Sequence, residues 1–234
     1  IFDHDKRFTI ASDKIKAKEL VAAVCPELRI PKVLWQGEMI KNLPIECFPE
    51  LVAFKANHSC GTNLFVKTQN AEIKKLKKIG AHWLSSTHGK SHKEWGYFDV
   101  PKKLFFEEMI VGSSGSTEEV KIYTFQEKIS RIVHIFGRFS EIKANVWLPK
   151  ENNGFCRSEI QAEVAPPDST KELPAEIHKG IRIAKKIGSE FDQMRVDLLW
   201  DGKHFWFNEL TVYNQGGYYP GKEGNTKSGD IAEL

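Results

Sequence analysis

Two residue periods take turns along this chain. Short runs rich in Val, Ile, Phe, Tyr and Trp alternate with stretches whose apolar residues recur every three or four positions, so strands and helices follow one another throughout. Ser12 is placed to cap a helix from Asp13 to about Val24, which stops before Pro26. Leu51 to Ala56 and Leu64 to Thr68 are expected strands joined by a small polar loop, and a helix follows over about Ala71 to Leu84. Lys74, Lys75, Lys77 and Lys78 give that helix a basic face, which needs no partner beyond water. Strands are expected near Lys103–Ile110, Val120–Gln126, Arg131–Phe136 and Ala144–Leu148. A last helix runs from about Ala175 to Phe191, where Ile177, Ile181, Ala184, Gly188 and Phe191 line one face. Linkers fall at Gly112–Ser116, at Lys150–Gly154 and around Pro166-Pro167. The fold class is α+β, and neither repeats nor low-complexity tracts interrupt it.

The C-terminal part of the pattern carries the most chemistry. Arg195-Val-Asp197 opens one aromatic strand, Asp201-Gly202 makes a turn, and Phe207-Asn208-Glu209-Leu-Thr211 closes a second strand. Side chains alternate along a strand, so Asp197 and Glu209 share a face only if the loop has an odd number of residues; a loop of three, Asp201 to Lys203, is expected. One ribbon face then holds Arg195, Asp197, Glu209 and Thr211, a cluster of one cation, two anions and a hydroxyl whose hard oxygens suit Mg²⁺ carrying phosphates. A surface ion pair between Arg195 and Glu209 explains the same residues without a metal.

Three other segments have a chemical and a plain reading. Lys55 lies mid-strand in Leu-Val-Ala-Phe-Lys-Ala, where an ammonium needs an anion unless the strand is an edge facing water. The following His58-Ser-Cys-Gly61-Thr-Asn63 can aim N–H groups and hydroxyls at phosphate oxygens, and it serves equally as a hairpin turn. As a phosphate lid, Asn57–Asn63 would stay mobile until a nucleotide arrives. Phe105-Phe106-Glu107-Glu108-Met109-Ile110 ends a hydrophobic strand in two acids before a Gly/Ser loop, as a hinge beside a flat apolar ligand or simply as a strand end.

Composition excludes more than it identifies. The 234 residues, 41% hydrophobic and 11% aromatic, suffice for a sizeable core and rule out a disordered chain. With 34 basic and 31 acidic residues, the net charge of +3 gives no global argument for nucleic acid. The four cysteines, Cys25, Cys47, Cys60 and Cys156, are scattered without a CxxC pair and are expected to be reduced core residues of a cytoplasmic protein. No apolar run approaches the roughly 20 residues of a membrane span, and the first residues are too polar for a signal peptide. The missing initiator Met suggests a trimmed start. Neither HExxH nor GxSxG occurs, so zinc-protease and serine-hydrolase readings lack their motifs.

Taken in order, these elements resemble the ATP-grasp superfamily and, within it, the TupA-like proteins found with cell-surface polysaccharide genes. The resemblance spans nearly the whole chain. It begins at Ser12-Asp13-Lys14 and the following Ile30-Pro31, continues through AFKANHSCGTN, and includes Trp83-Leu84, Glu94-Trp95-Gly-Tyr97, Phe106-Glu107-Glu108 and Val120-Lys121-Ile-Tyr-Thr-Phe. Its most specific part is Met194-Arg195-Val-Asp197-Leu with Asp201-Gly202-Lys203 and Phe207-Asn208-Glu209-Leu-Thr211.

The resemblance implies an ATP-grasp fold, two α+β lobes whose antiparallel sheets grip ATP between them. It implies an N-terminal helix/strand segment over 1–50, a small lobe with the phosphate loop over 51–110 and a large lobe with the metal-binding hairpin over 111–234. The implied activity is an ATP-dependent carboxylate-amine ligase acting through an acyl phosphate, with a uronic acid of a surface glycan or a small carboxylate joined to an amine; a kinase and a non-catalytic nucleotide-binding module are the alternatives. Lys14 and Lys55 would hold ATP phosphates, with His58, Ser59, Gly61, Thr62 and Asn63 over them, Glu107, Glu108, Met109 and Ile110 along the adenine, and Glu119 on the ribose. Asp197, Glu209 and, less closely matched, Thr211 would hold Mg²⁺, while Arg195 stabilises developing charge and Lys121 and Arg138 take the anionic substrate. Two departures concern the ligand sites. The phosphate loop has one glycine where relatives have several, and Thr211-Val-Tyr-Asn-Gln-Gly-Gly replaces the family's Thr-Phe-x-Pro-Gly. The chain also starts almost at the Asp-Lys helix, so the extra N-terminal domain of many such ligases is expected to be absent or very small.

Overall fold

In the computed structural model the described residues are 4–90, 93–112, 115, 117–151, 154–162 and 164–213. They form two compact units, one of residues up to Ala17 with Pro31–Met109, the other of Lys18–Ile30 with the chain from Ile110 on.

The first unit contains α1 (Arg7–Ser12), the start of α2 (Lys14–Val24), β1 (Val33–Gly37), β2 (Leu51–Ala56), β3 (Asn63–Lys67), α3 (Ile73–Ser85) and β4 (Leu104–Glu108). All strand pairs are antiparallel, in the order β1-β4-β2-β3. Lys55 therefore lies on an inner strand, which overturns the edge-strand reading. Val52, Phe54, Ala56, Leu104 and Phe106 fill one sheet face together with Leu76 of α3, and Phe54 stacks on Phe106 with ring centroids 4.5 Å apart. Gly80 lets α3 approach closely, because a Cβ there would meet Leu104 Cδ1 at 2.5 Å. The four lysines of α3 are exposed, as an amphipathic helix laid on a sheet requires.

The N-terminal helix departs from expectation in two ways. Arg7–Ser12 is a separate helix, and Asp13 rather than Ser12 caps the next one, its Oδ1 accepting from the N–H groups of Ile15 at 3.0 Å and Lys16 at 2.8 Å. A carboxylate at this position satisfies two donors and suits the positive end of the helix.

The second unit contains β5 (Glu118–Phe125), β6 (Lys128–Phe136), β7 (Lys143–Pro149), β8 (Phe155–Arg157), α4 (Ile177–Gly188), β9 (Gln193–Trp200) and β10 (Phe205–Thr211). Its six strands are antiparallel in the order β10-β9-β5-β6-β7-β8. Alternation along β5 sends Val120, Ile122 and Thr124 to the face under α4 and Glu119, Lys121 and Tyr123 to the other. Gly188 of α4 rests on Thr124 and Gly180 on Phe205, so the helix axis can come close to the sheet. Ile132, Val196, Leu198, Ile187 and Phe207 are fully or almost fully buried there.

No disulfide joins the cysteines, and only Cys25 is buried; Cys47 and Cys60 are exposed and Cys156 is half-buried, which corrects the expectation of four core residues. No helix among the described residues is long and apolar enough to cross a membrane.

Candidate functional site

The hairpin brings its two acids together, by a route other than the expected loop. Trp200 pairs with Phe205, so four residues, Asp201 to His204, connect the strands. An even loop would turn Glu209 away from Asp197. A bulge between Phe207 and Glu209 takes up Asn208 and restores the parity, leaving Glu209 directly opposite Asp197 and Thr211 opposite Arg195. The turn itself is held by Asp201, whose Oδ1 accepts from the N–H groups of Lys203 (2.8 Å) and His204 (2.6 Å) and whose Oδ2 accepts from Trp206 Nε1 (2.8 Å). Gly202, at φ 94°, supplies the left-handed step.

Asp197 is completely buried, while Arg195 and Glu209 keep 12% and 20% exposure, so the Arg195–Glu209 pair is present but is tied to a buried carboxylate rather than standing alone on the surface. The guanidinium grips the Asp197 carboxylate with both prongs, Nε to Oδ1 at 2.7 Å and Nη2 to Oδ2 at 2.8 Å. The same Nη2 lies 3.4 Å from Glu209 Oε1, so the two acids converge on one nitrogen. From the neighbouring strand, Lys121 stands opposite Asp197 and donates from Nζ to Oδ2 at 3.1 Å. Burial pushes the Asp197 carboxyl above the usual aspartate value, against the pull of Arg195 and Lys121. Burial works against the Lys121 ammonium too, yet Asp197 and Glu119 outweigh it and hold its pKa above that of an ordinary lysine.

Glu119 extends the network. It is buried, its Oε1 accepts from Lys121 Nζ at 3.3 Å and Asn208 Nδ2 at 3.2 Å, and its Oε2 pairs with Arg138 Nη2. Both of its oxygens thus have partners from the protein, and Lys121 and Arg138 are tied through one carboxylate. Asn208 was not singled out from the sequence; its signal was its place beside Glu209, where a bulge re-aims a side chain. Tyr123 was also missed as a site residue. Its ring lies 5.9 Å from the guanidinium of Arg195 and 4.0 Å from that of Arg131.

This set fits Mg²⁺. Asp197, Glu209 and Thr211 offer oxygen donors on one ribbon face, and Mg²⁺ characteristically takes one or two carboxylates and completes its shell with water and phosphate oxygens. Among the described residues no three His, Cys, Asp or Glu side chains are grouped to hold a metal by themselves.

The first unit assembles a second cluster. Lys55 pairs with Glu107 at 2.5 Å, with side chains 13% and 5% exposed, so the anion that Lys55 needs is a residue placed on the sequence as part of the adenine wall. Asn57 Oδ1 accepts from the N–H of Ile15 at 3.0 Å, which brings the start of α2, with Lys14, to the end of β2. The polar loop is anchored at its beginning. Asn57, His58 and Ser59 are buried, and His58 Nε2 donates to the carbonyl of Trp83 at 3.1 Å. Burial, with Lys102, His88 and Lys14 adding to it, holds the His58 pKa below that of a free imidazole, although the Trp83 bond opposes the shift. Cys60, Gly61 and Asn63 are exposed and Thr62 is half-exposed; Ser59 Oγ and Thr62 Oγ1 are 2.6 Å apart. The first three residues of the expected phosphate loop are thus packed, and its exposed part is confined to Cys60–Asn63. Glu108 is half-buried, Met109 ends the first unit and Ile110 begins the second. Ser113, Ser114 and Ser116 of the Gly/Ser linker, and the acceptor-side segment from Asn214 on, lie outside the described residues.

Comparison with known proteins sets these clusters in a family. No curated protein matches the chain. Among solved structures it is similar to an L-amino acid ligase from Bacillus licheniformis, at 14% identity and TM-score 0.50 over 88% of this chain and 44% of that one. It is similar to the ATP-grasp ligase PsnB complexed with a phosphomimetic variant of its minimal precursor, Mg and ADP, at 14% identity and TM-score 0.50 over 92% and 53%. A D-alanine–D-alanine ligase from Bacillus anthracis aligns at 17% identity and TM-score 0.47 over 87% and 56%. The chain spans about half the length of these structures, and at such identity the likeness concerns the fold. The family model described as TupA-like ATPgrasp matches residues 3–231. With its antiparallel sheets and its arginine, aspartate and glutamate on one hairpin, the chain belongs to the TupA-like ATP-grasp family and has the ATP-grasp fold.

Proposed function

We propose that this chain is an ATP-dependent ligase that joins a carboxylate to an amine through an acyl phosphate. The observation that carries the proposal is the network of Arg195, Glu209 and Lys121 around the buried Asp197, which places two acids and two cations where a hydrophobic face would be more stable. Similarity to an ATP-grasp ligase complexed with Mg and ADP, and to an L-amino acid ligase, supports the same reading.

We assign to the first unit the contacts to ATP made by Lys14, Lys55, the exposed Gly61, Thr62 and Asn63, and the Glu108–Ile110 backbone. To the second we assign Asp197 and Glu209 as metal carboxylates, with Thr211 beside them. A bound Mg²⁺ supplies neutralisation of the phosphate oxygens during transfer. The rest falls to side chains. Arg195, fixed by its two bonds to Asp197, presents a fixed positive charge and screens the oxygens of the transferring group without reorganising. Lys121 and Arg138, held by Glu119, take the acceptor carboxylate, whose oxygen attacks the γ-phosphorus while the bond to ADP breaks. The amine then attacks the acyl carbon, phosphate leaves with the bonding pair, and the amine loses a proton. The substrate class is a uronic acid of a surface glycan or a small carboxylate, with an amino acid or other amine as nucleophile.

The experiment is a matrix of uronic acids and amines assayed for ADP release with product mass. Release that needs both partners and yields an amide supports the ligase. Release with a hydroxyl substrate alone, leaving a phosphate ester, replaces it with a kinase.

A further inference from the structure

Asp197 is held by two cations of different character. Arg195 uses two prongs of a rigid fork on the aspartate, and both bonds are short, at 2.7 and 2.8 Å. Lys121 makes one longer contact of 3.1 Å to Oδ2 from a flexible stem, and its side chain keeps 19% exposure. At 3.3 Å it also reaches a second acid, Glu119, which Arg138 and Asn208 hold from other sides. Lys121 is therefore the cation that can leave Asp197 by a small change of side-chain angles and still keep a carboxylate partner.

We propose that Lys121 is the exchangeable counter-ion of the metal carboxylate: in the metal-free protein its ammonium shares Asp197 Oδ2 with the fixed Arg195 guanidinium, and metal binding at that oxygen shifts the ammonium, not the guanidinium, onto Glu119. This deepens the ligase reading and rests on its assignment of Asp197 and Glu209 to the metal. The exchange addresses a specific electrostatic problem. Asp197 and Glu209 repel each other on one ribbon face; Arg195 bridges them through Nη2, and the Lys121 ammonium adds a second, exchangeable cation at Asp197 until a divalent ion with its phosphates replaces it. Arg138 already occupies one oxygen of Glu119, so a displaced Lys121 shares that carboxylate with a second cation. The combined positive charge would then be available to an anionic acceptor only after the metal nucleotide is seated. Glu119 acts in this scheme as a positioning residue.

Titration of the full chain with Mn²⁺, followed by the loss of free-ion signal in electron paramagnetic resonance, tests the exchange without turnover. The wild type should bind Mn²⁺ weakly alone and well with a non-hydrolysable ATP analogue, and Asp197→Asn should lose both. Without nucleotide, Lys121→Met should bind Mn²⁺ at least about tenfold more tightly than wild type, because a unit charge a few ångströms from the ion is gone. Lys121→Arg, which keeps the charge, should not tighten binding. Lys121→Gln repeats the test if the methionine variant folds poorly, and added Mn²⁺ should raise the unfolding midpoint of the neutral variants more than that of wild type. Unchanged or weaker Mn²⁺ binding by both neutral variants, with normal binding in the nucleotide complex, would overturn the counter-ion role alone. Failure of the wild type to bind Mn²⁺ with nucleotide, or undiminished binding by Asp197→Asn, would overturn the metal assignment and this proposal with it.

Discussion

Removing the ammonium of Lys55 should destabilise the protein before it affects any ligand. Lys55 and Glu107 are 2.5 Å apart, 13% and 5% exposed, on inner strands of the four-stranded sheet. Breaking a buried pair from one side costs about 3–5 kcal/mol, because the surviving charge stays desolvated. The residual exposure of Lys55 and the further contacts of Glu107 place Lys55→Met at the lower end, about 3 kcal/mol. Neutralising the acid as well should recover much of this, so Lys55→Met with Glu107→Gln should be about 2 kcal/mol more stable than Lys55→Met alone. The assay is urea unfolding of wild type, both single variants and the double variant, followed by tryptophan fluorescence. Single-variant costs that simply add within about 0.5 kcal/mol would refute the reasoning, since uncoupled residues do not share a buried charge. The cycle also disentangles function. If Lys55 also holds an ATP phosphate, nucleotide affinity should fall by about 1–3 kcal/mol in the more stable double variant as well.

Three further outcomes follow from the packing and the buried imidazole. Gly188→Ala should cost about 2 kcal/mol, because the new Cβ would crowd Thr124 Oγ1 and stand 2.7 Å from Thr124 Cβ; Thr124→Ala removes the hydroxyl and methyl but leaves that carbon, so it should rescue only part, and thermal unfolding of the pair checks both. His58 has a lowered pKa in the folded state, so its contribution is present above the unfolded value of about 6.5 and is lost as pH falls from there through the folded value. Stability measured by urea between pH 7.5 and 5 should therefore decline more steeply for wild type than for His58→Gln, and equal slopes would contradict the assignment. Glu119→Gln should loosen Lys121 and Arg138 together, raising the KM for the acceptor carboxylate at least several-fold with a smaller change for ATP, read from steady-state kinetics once an acceptor is found.

How far the chain could be read without coordinates depended on whether the deciding interaction was local. β2, β3, α4 and the Arg195 to Thr211 hairpin follow from period and turn chemistry within a few residues, and each stands within a few residues of its expected bounds. β1, five residues with a bulge against β4, shows no clean alternation and was not expected. The short α1 has no side-chain cap bond and lies before the expected helix start at Asp13, where no helix was expected. The convergence of Asp197 and Glu209 was legible, but its cause was not: an odd loop and an even loop with a bulge give the same facing, and only backbone pairing separates them. Contacts made through the sheet were beyond local reading. Lys121 meets Asp197 from 76 residues away, and Glu119, expected on a ribose, is held by Lys121, Arg138 and Asn208. The partner of Lys55 could be required by burial but not named, because strand order decides that Glu107 lies on the same face of the adjacent strand.

The central claim is that Asp197 and Glu209 form the metal side of a nucleotide site. Calorimetric titration of a non-hydrolysable ATP analogue into wild type and Asp197→Asn, each with and without Mg²⁺, addresses it most directly. Mg²⁺ should tighten binding to the wild type by at least about tenfold and have little effect on a folded Asp197→Asn, since one of two metal carboxylates is gone. An Asp197→Asn variant that keeps the full Mg²⁺ enhancement would contradict the account and return the hairpin to a structural ion-pair network.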